Sequence, residues 1–222
     1  MSRVHRYEGA DIVVEFDLGR CIHTGDCSRD LPEVFNSKRS GRWVKPDAAH
    51  ADDVARICAN CPTGALRCIN KSTTQSMDAA PQHNSVQMMA DGPLYVHAAM
   101  MVNGKQEPGY RAAFCRCGAS RLMPYCDNSH RNINFSDAGK VLVPLPSHTK
   151  ENGGLTIRAM ANGPLKIDGS FTLLDATGDK VCASSGAAMC RCGASNMKPY
   201  CDGSHIAIGF QSEGAENSEQ RS

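Results

Sequence analysis

Residues 115–135 read CRCGASRLMPYCDNSHRNINF and residues 190–210 read CRCGASNMKPYCDGSHIAIGF. Fourteen of these 21 aligned positions are identical at an offset of 75. Identity continues upstream, where Gly92-Pro93-Leu94 matches Gly163-Pro164-Leu165 at an offset of 71. A repeat of this kind requires one structural unit to be built twice. Each copy places three cysteines and a histidine at the same spacing: Cys115, Cys117, Cys126 and His130, then Cys190, Cys192, Cys201 and His205. Such donors either bind zinc tetrahedrally or ligate an iron–sulfur cluster. Zinc ribbons and fingers favour gaps of two to four residues within a cysteine pair, and C-x-C is tighter.

Only 5% of the 222 residues are aromatic, and Gly and Pro together number 31. Thin, loop-rich domains of this composition need staples such as disulfides or metals. The 12 cysteines are the candidates. A C-x-C pair suits one shared metal centre better than two separate bridges. A reducing cytosol, where the chain is expected to reside, disfavours six disulfides. No apolar run approaches a membrane span, and residues 1–16 lack a secretory apolar core. Residues 1–70 carry 10 basic and 10 acidic side chains, without the basic block of a nucleic-acid binder. The chain has no Gly-rich phosphate loop, nucleophile elbow, HExxH or isolated carboxylate pair, so it reads as non-catalytic.

The repeated text resembles the CDGSH iron–sulfur domain of the mitoNEET family, whose signature is C-x-C-x2-[ST]-x3-P-x-C-D-G-[STA]-H. The second copy matches throughout, through Ser195, Pro199 and Asp202-Gly203-Ser204. The first matches through Ser120 and Pro124 but has Asn128 in place of the usual Gly, and Asn tolerates the left-handed backbone that Gly often serves. The resemblance implies a [2Fe–2S] cluster on each set. Cys115 and Cys117 would hold one iron, with Cys126 and His130 on the outer iron. Cys190 and Cys192 would pair likewise against Cys201 and His205. Each set is expected to converge on a common centre. An imidazole in place of a thiolate should raise the potential, and its second nitrogen should link redox state to pH. Single-repeat relatives form strand-exchanging dimers, so a tandem copy implies a monomer with an internal pseudo-twofold unit.

Ahead of the repeats, Cys21-Ile22-His23-Thr24-Gly25-Asp26-Cys27 is followed by Leu31-Pro32-Glu33-Val34-Phe35 and by Cys61-Pro62-Thr63-Gly64-Ala65-Leu66. Ferredoxins place cysteines in a tight loop and a further one, followed by Pro, at a distance. This segment resembles a divergent mono-cluster ferredoxin domain. Thr24 stands where a full C-x2-C-x2-C loop has its middle cysteine. Cys21, Cys27 and Cys61 remain as ligands, which suits a [3Fe–4S] cluster, or a [4Fe–4S] cluster with a fourth ligand or an open iron. Cys58 and Cys68 are the candidates for that ligand, against a reading of both as buried thiols. His23 is either a ligand or a solvent-facing loop residue.

The expected fold is α+β: a small ferredoxin-like domain over 1–70, a linker over 71–85, a first repeat over 86–135, a connector over 136–154, a second repeat over 155–210 and a disordered tail over 211–222. Strands are expected at Asp11–Phe16, Val141–Leu145, and within Val86–Met101 and Leu155–Leu174, with a helix at Ala48–Ile57. Asp127 and Asp202 are read as helix N-caps. Arg116 and Arg191 either donate to cluster sulfurs or are solvated. Tyr125, Tyr200 and the methionines are read as packing, and Cys182 as a strand thiol. The function implied is electron transfer, redox and pH sensing, or cluster donation, with a redox protein or an apo-protein as partner. The alternatives are a zinc-binding interaction module, or an electron-feeding subunit of an oxidoreductase.

Overall fold

A computed structural model describes residues 4–141 and 153–214. The strand expected at Val141–Leu145 falls, beyond its first residue, outside the described residues, as does the tail from 215 onward. The chain divides into two compact units, Met1–Ala79 and Ala80–Ser222. All twelve cysteines are free thiols. Among the described residues, no helix is long and apolar enough to cross a membrane.

The first unit is a three-stranded antiparallel sheet in the order β1-β2-β3, formed by β1 (Val4–Glu8), β2 (Ile12–Asp17) and β3 (Leu66–Asn70). Ile12, Val14 and Phe16 alternate along β2 and, with Leu66 and Cys68 of β3, bury one face of the sheet. A short helix, α1 (Asp26–Asp30), and a longer one, α2 (Ala51–Ala59), complete the unit. The expected helix starts later than its sequence suggests. Pro46–Ala48 forms a 3-10 turn, and His50 caps α2 by accepting from the Asp52 amide at 3.4 Å. Val54, Ile57 and Cys58 are the face of α2 that enters the core. Residues 71–77, inside the expected linker, fold back on β3 through Met77 N–H to Cys68 C=O.

The second unit is an eight-stranded sheet. The first repeat supplies β4 (Ser85–Met88), β5 (Leu94–His97), β6 (Met100–Val102), β7 (Lys105–Gln106) and β8 (Arg111–Phe114). The second supplies β9 (Leu155–Ala159), β10 (Leu165–Leu174) and β11 (Lys180–Met189). The order β7-β6-β9-β10-β4-β5-β8, with β11 also paired to β10, alternates between the repeats. Strand β6 pairs parallel with β9, and β4 pairs parallel with β10. The two junctions have the same register. Met101 faces Thr156, and Thr172 faces Ser85; each residue of the second pair lies 71 from its counterpart in the first.

One bend makes this exchange possible. Strand β10 pairs with β9 through Leu165–Asp168 and with β4 through Thr172–Leu174. Its pairing with β11 slips between Asp168 and Phe171, where Gly169 has φ +114°. A side chain there would be strained, and its Cβ would stand 2.9 Å from Leu155. A shared apolar core joins Val86, Met88, Leu94, Val96 and Met100 to Leu155, Ile157, Leu165, Ile167 and Leu173. Met101, expected in a core, is exposed because it lies on the opposite face of β6 from Met100 and Val102.

Asn84 stitches the repeats together. Its buried side-chain amide donates to Gly153 C=O at 2.7 Å and Ser170 C=O at 2.8 Å. Asn84→Ala leaves two carbonyls without this donor at a cost of roughly 1–3 kcal/mol. Calorimetry of the full chain should show a lower unfolding midpoint for this unit and an unchanged one for the first.

Candidate metal centres

Each repeat carries its donors on a closed loop. Strand β8 runs into Cys115, and Phe114 forms a bridge with Tyr125 as the chain returns to Cys126. Cys115 N–H donates to Pro124 C=O, and Cys126 N–H to Ala113 C=O, both at 2.9 Å. The second loop repeats these bonds with Cys190 to Pro199 and Cys201 to Ala188. The non-cysteine signature residues hold the loop. Ser120 Oγ donates to Tyr125 C=O and Ser195 Oγ to Tyr200 C=O, each at 2.6 Å. The prolines follow cis peptide bonds in both copies.

Asp127 and Asp202 are not the helix caps. The caps are Asn128 and Gly203, both left-handed at φ 74° and 90°, which accounts for Asn where Gly is usual. These residues open a 3-10 turn over Ser129–Arg131 and the short helix α3 (Ser204–Ala207). Each aspartate sits one residue earlier and bridges two segments. Asp127 accepts from the Ser129 and Arg121 amides, and Asp202 from the Ser204 and Asn196 amides. At Asp127 burial raises the carboxyl pKa, but these bonds outweigh it and bring it down to about 2.

The arginines correct a second expectation, because neither is solvated. Arg116 is 3% exposed and Arg191 1%. Arg116 donates to the carbonyls of Gly92 and Met89, and Arg191 to those of Gly163 and Met160. Both reach the Gly-Pro-Leu turn of their own repeat, which explains the upstream identity. Each also lies over a ring, Phe135 at 5.7 Å and Phe210 at 5.4 Å. Arg116 pairs with Asp137 at 2.9 Å, while Arg191 meets Ser212, 75 positions on from Asp137. This contact orders the start of a tail expected to be disordered: Ser212 N–H also donates to Asn162 Oδ1. The tyrosines do pack, and Tyr125 OH also donates to Glu107 at 2.7 Å.

The eight donors fall into four pairs. Cys115 and Cys117 sulfurs are 3.6 Å apart, and Cys190 and Cys192 sulfurs 3.8 Å. His130 Nδ1 is 3.5 Å from Cys126 Sγ, and His205 Nδ1 is 3.3 Å from Cys201 Sγ. Two thiolates on one tetrahedral ion stand about 3.8 Å apart, and a thiolate and an imidazole about 3.6 Å. Every pair can therefore grip one metal. Among the described residues, however, no three His, Cys, Asp or Glu side chains converge on a point that one ion could occupy. The common point expected for each set is therefore not formed among the described residues, where the donors stand as two pairs per repeat. In the first repeat the Cys115 thiolate acts on Cys126 across the division.

Hydrogen bonding and burial shift the thiols in different directions. The Cys117 hydrogen bond lowers the Cys115 pKa against burial, aided by backbone amides at 117, 118 and 120, while Cys117 rises. Burial pushes Cys126 up to about 11 and raises Cys190. Burial also lowers the His130 pKa, and Arg131 adds to it, keeping the imidazole neutral and able to ligate.

In the first unit, β2 and β3 leave the sheet side by side. Phe16 pairs with Leu66, so Cys21 and Cys61 emerge from the same end. Arg20 Nε donates to Thr63 C=O at 2.9 Å and locks the two loops together. Helix α1 brings in Cys27. Cys21, His23, Thr24, Cys27, Cys61 and Pro62 line a cavity of about 510 Å³. Against about 30 Å³ per water, that space is far larger than one ion needs. Burial raises the Cys21 and Cys27 thiols, and charge at Cys61 adds to both. Cys58 and Cys68 line no part of this cavity. Cys58 is 1% exposed on the core face of α2. Cys68 points into the same core from β3 and lies 3.5 Å from Met77 sulfur, with burial lifting its thiol to about 11.

A family model for the iron-binding zinc finger of CDGSH type matches residues 91–131 and 162–206. A model for a divergent 4Fe-4S mono-cluster matches residues 7–71. An uncharacterized protein of Escherichia coli K12, YjdI, is 38% identical over 61 residues, 28% of this chain and 79% of its own length. CDGSH iron-sulfur domain-containing protein 1 of Rattus norvegicus is 34% identical over 67 residues, 30% of this chain and 57% of that protein. No solved structure matches the chain significantly.

The two repeat loops abut through glycines. A Cβ on Gly118 would lie 2.6 Å from Cys192 C=O, and one on Gly193 would lie 2.9 Å from Cys117 C=O. Gly203 shares the positive φ but has open space around it. Gly203→Ala should cost only the left-handed penalty of about 1–2 kcal/mol. Gly118→Ala and Gly193→Ala add a backbone overlap, and thermal unfolding should show a larger loss for each.

Proposed function

This chain belongs to the family of divergent 4Fe-4S mono-cluster proteins and carries two CDGSH-type domains, and from that premise we propose that it is a non-catalytic electron carrier with three iron–sulfur clusters. The observation that supports this reading is the spacing of each repeat's donor pairs, Cys115 with Cys117 and Cys126 with His130, Cys190 with Cys192 and Cys201 with His205, each at a distance one metal can bridge. On it, Cys115 and Cys117 hold one iron of a [2Fe–2S] cluster, and Cys126 and His130 the other. Cys190 with Cys192, and Cys201 with His205, do the same in the second repeat. Cys21, Cys27 and Cys61 hold the third cluster, of the [4Fe–4S] type that the matching family model is named for. When bound, these clusters supply one-electron couples.

The chain's own residues set the terms. One imidazole per repeat removes a negative charge from the ligand set and raises the potential relative to four thiolates. The Cys115 sulfur already sits among backbone amides that stabilise its negative charge. The reciprocal registers of β6 with β9 and β4 with β10 support an internal pseudo-twofold unit in a monomer, as do the two Gly–Cys loop contacts. The partner on this reading is a redox protein or an apo-protein that accepts a cluster, with no role for nucleic acid or membrane. Twelve free thiols suit a cytosolic location.

Anaerobically purified protein should be red-brown and contain iron with acid-labile sulfide. Colourless, zinc-loaded protein without sulfide would replace this reading with a structural zinc module. His130→Cys and His205→Cys should each lower the midpoint potential of one [2Fe–2S] couple in an EPR-monitored titration. Unchanged potentials would reject the histidines as ligands.

A further inference from the structure

The two ligand loops are copies of one another, so each serves as a control for the other. Their hydrogen bonds repeat. Asp127 accepts from the Arg121 and Ser129 amides, and Asp202 from the Asn196 and Ser204 amides. Phe135 N–H donates to His130 C=O, as Phe210 N–H does to His205 C=O. Their exposed apolar side chains repeat as well. Leu122 and Ile133 are 51% and 50% exposed, and Met197 and Ile208, 75 positions on, are 53% and 54% exposed. None of these four belongs to the shared core. Apolar groups held open to water at equivalent places beside both sets of donors mark contact surfaces.

The charges do not repeat. Arg121 and Arg131 flank His130 in the first copy, and Asn196 and Ile206 stand in their places in the second. Both arginines are exposed, Arg121 with 88% of its side chain. Asp127 joins their two segments, because the amides that it accepts belong to Arg121 and to the turn Ser129–Arg131. It also meets Arg121 Nε at 3.5 Å, but its own side chain is only 7% exposed and shows little negative charge to solvent. The loop does not need these guanidiniums, since the second copy makes the same backbone bonds without them. At the second loop Asp202 is exposed, and the Lys198 ammonium donates to Ser195 C=O at 2.7 Å. The first loop therefore presents a basic, partly apolar face, and the second an apolar face with an exposed carboxylate.

We propose that the face around His130 docks an acidic redox protein, with Arg121 and Arg131 as its charged rim and Leu122 and Ile133 as its apolar contacts. Charge complementarity selects this occupant. Arginine beside apolar groups is the usual make-up of a docking surface, and a basic patch steers an acidic partner toward it. The chain as a whole carries a formal net charge of only +1, so the attraction comes from this face and not from the whole molecule. On the electron-carrier reading above, on which this rests, the partner exchanges electrons at the outer pair of donors, Cys126 and His130.

The test is binding of anaerobically purified full-length protein to flavodoxin, an acidic one-electron carrier, with cytochrome c as a basic one. Flavodoxin should bind at low ionic strength and be released by salt, which screens exposed charge, and cytochrome c should not bind. Arg121→Gln with Arg131→Gln should weaken flavodoxin binding roughly tenfold, the scale of two exposed ion pairs, with the visible spectrum unchanged. Lys105→Gln with Arg158→Gln also removes two positive charges, from β7 and β9 at the other end of the strand order from β8, and should bind as wild type. Asn196→Arg with Ile206→Arg should add a second flavodoxin site per chain. Wild type that binds flavodoxin no better than cytochrome c overturns the assignment. So does unchanged binding after Arg121→Gln with Arg131→Gln, an equal loss in the Lys105→Gln, Arg158→Gln protein, or a single site after Asn196→Arg with Ile206→Arg. Protein without acid-labile sulfide defeats the electron-carrier reading itself, whereas cluster-loaded protein that fails these binding tests defeats the docking face alone.

Discussion

A buried guanidinium holds each repeat's ligand loop in place, and the rest of the unit depends on it. Arg116 and Arg191 sit between paired cysteines, where a charged side chain out of contact with water is costly unless every donor is used. Both use them on backbone carbonyls and on one side-chain acceptor each, Asp137 or Ser212. The Gly-Pro-Leu turn supplies two carbonyls, the segment after the histidine supplies an acceptor and an aromatic face, and the C-x-C loop supplies the arginine. Three stretches far apart in sequence are thereby drawn to one point. The fork geometry matters, because a lysine ammonium could not reach two carbonyls in different directions at once. The repeats differ here in one respect: Asp137 neutralises Arg116, while among the described residues only neutral acceptors meet Arg191.

The exchanged strands share one core, to which both repeats contribute buried apolar side chains. Interleaving their strands produces one core in which Val86, Leu94 and Met100 pack with Ile157, Leu165 and Leu173. Gly169 lets β10 bend between two neighbours, and Asn84 bonds the carbonyls at the seam. Placing the repeats on a common sheet also sets their ligand loops back to back, close enough that only glycine fits at 118 and 193.

The donor pattern was legible because metal chemistry restricts residue type and spacing together. Asn128 as a left-handed substitute for Gly was legible for a similar reason, since few residues take that backbone. Strand β1 was hidden because its side chains are mostly exposed and carry no apolar alternation. Strand β8 and the end of β11 were hidden by small residues of low strand propensity, Ala112-Ala113 and Gly186-Ala187-Ala188, which are strands only because neighbours pair with them. The aspartates were misplaced by one residue because an Asx turn and an N-cap use the same side chain and differ only in φ of the next residue. The arginines could not be read at all, since their partners are backbone carbonyls more than 20 residues away.

Ligand spacing also separates the two kinds of site in this chain. A C-x-C pair holds its sulfurs 3.6–3.8 Å apart, the edge of one metal's coordination shell, so both thiolates can serve the same ion. The C-x5-C loop does something else. It wraps a cavity, with Cys21 and Cys27 on its wall and Cys61 entering from the neighbouring strand. Sulfurs set around a space can serve a body larger than one ion. On the function proposed above, paired donors on a hairpin loop would hold a two-iron centre, and single donors around a pocket a larger cluster. Both follow from how many backbone atoms separate one sulfur from the next.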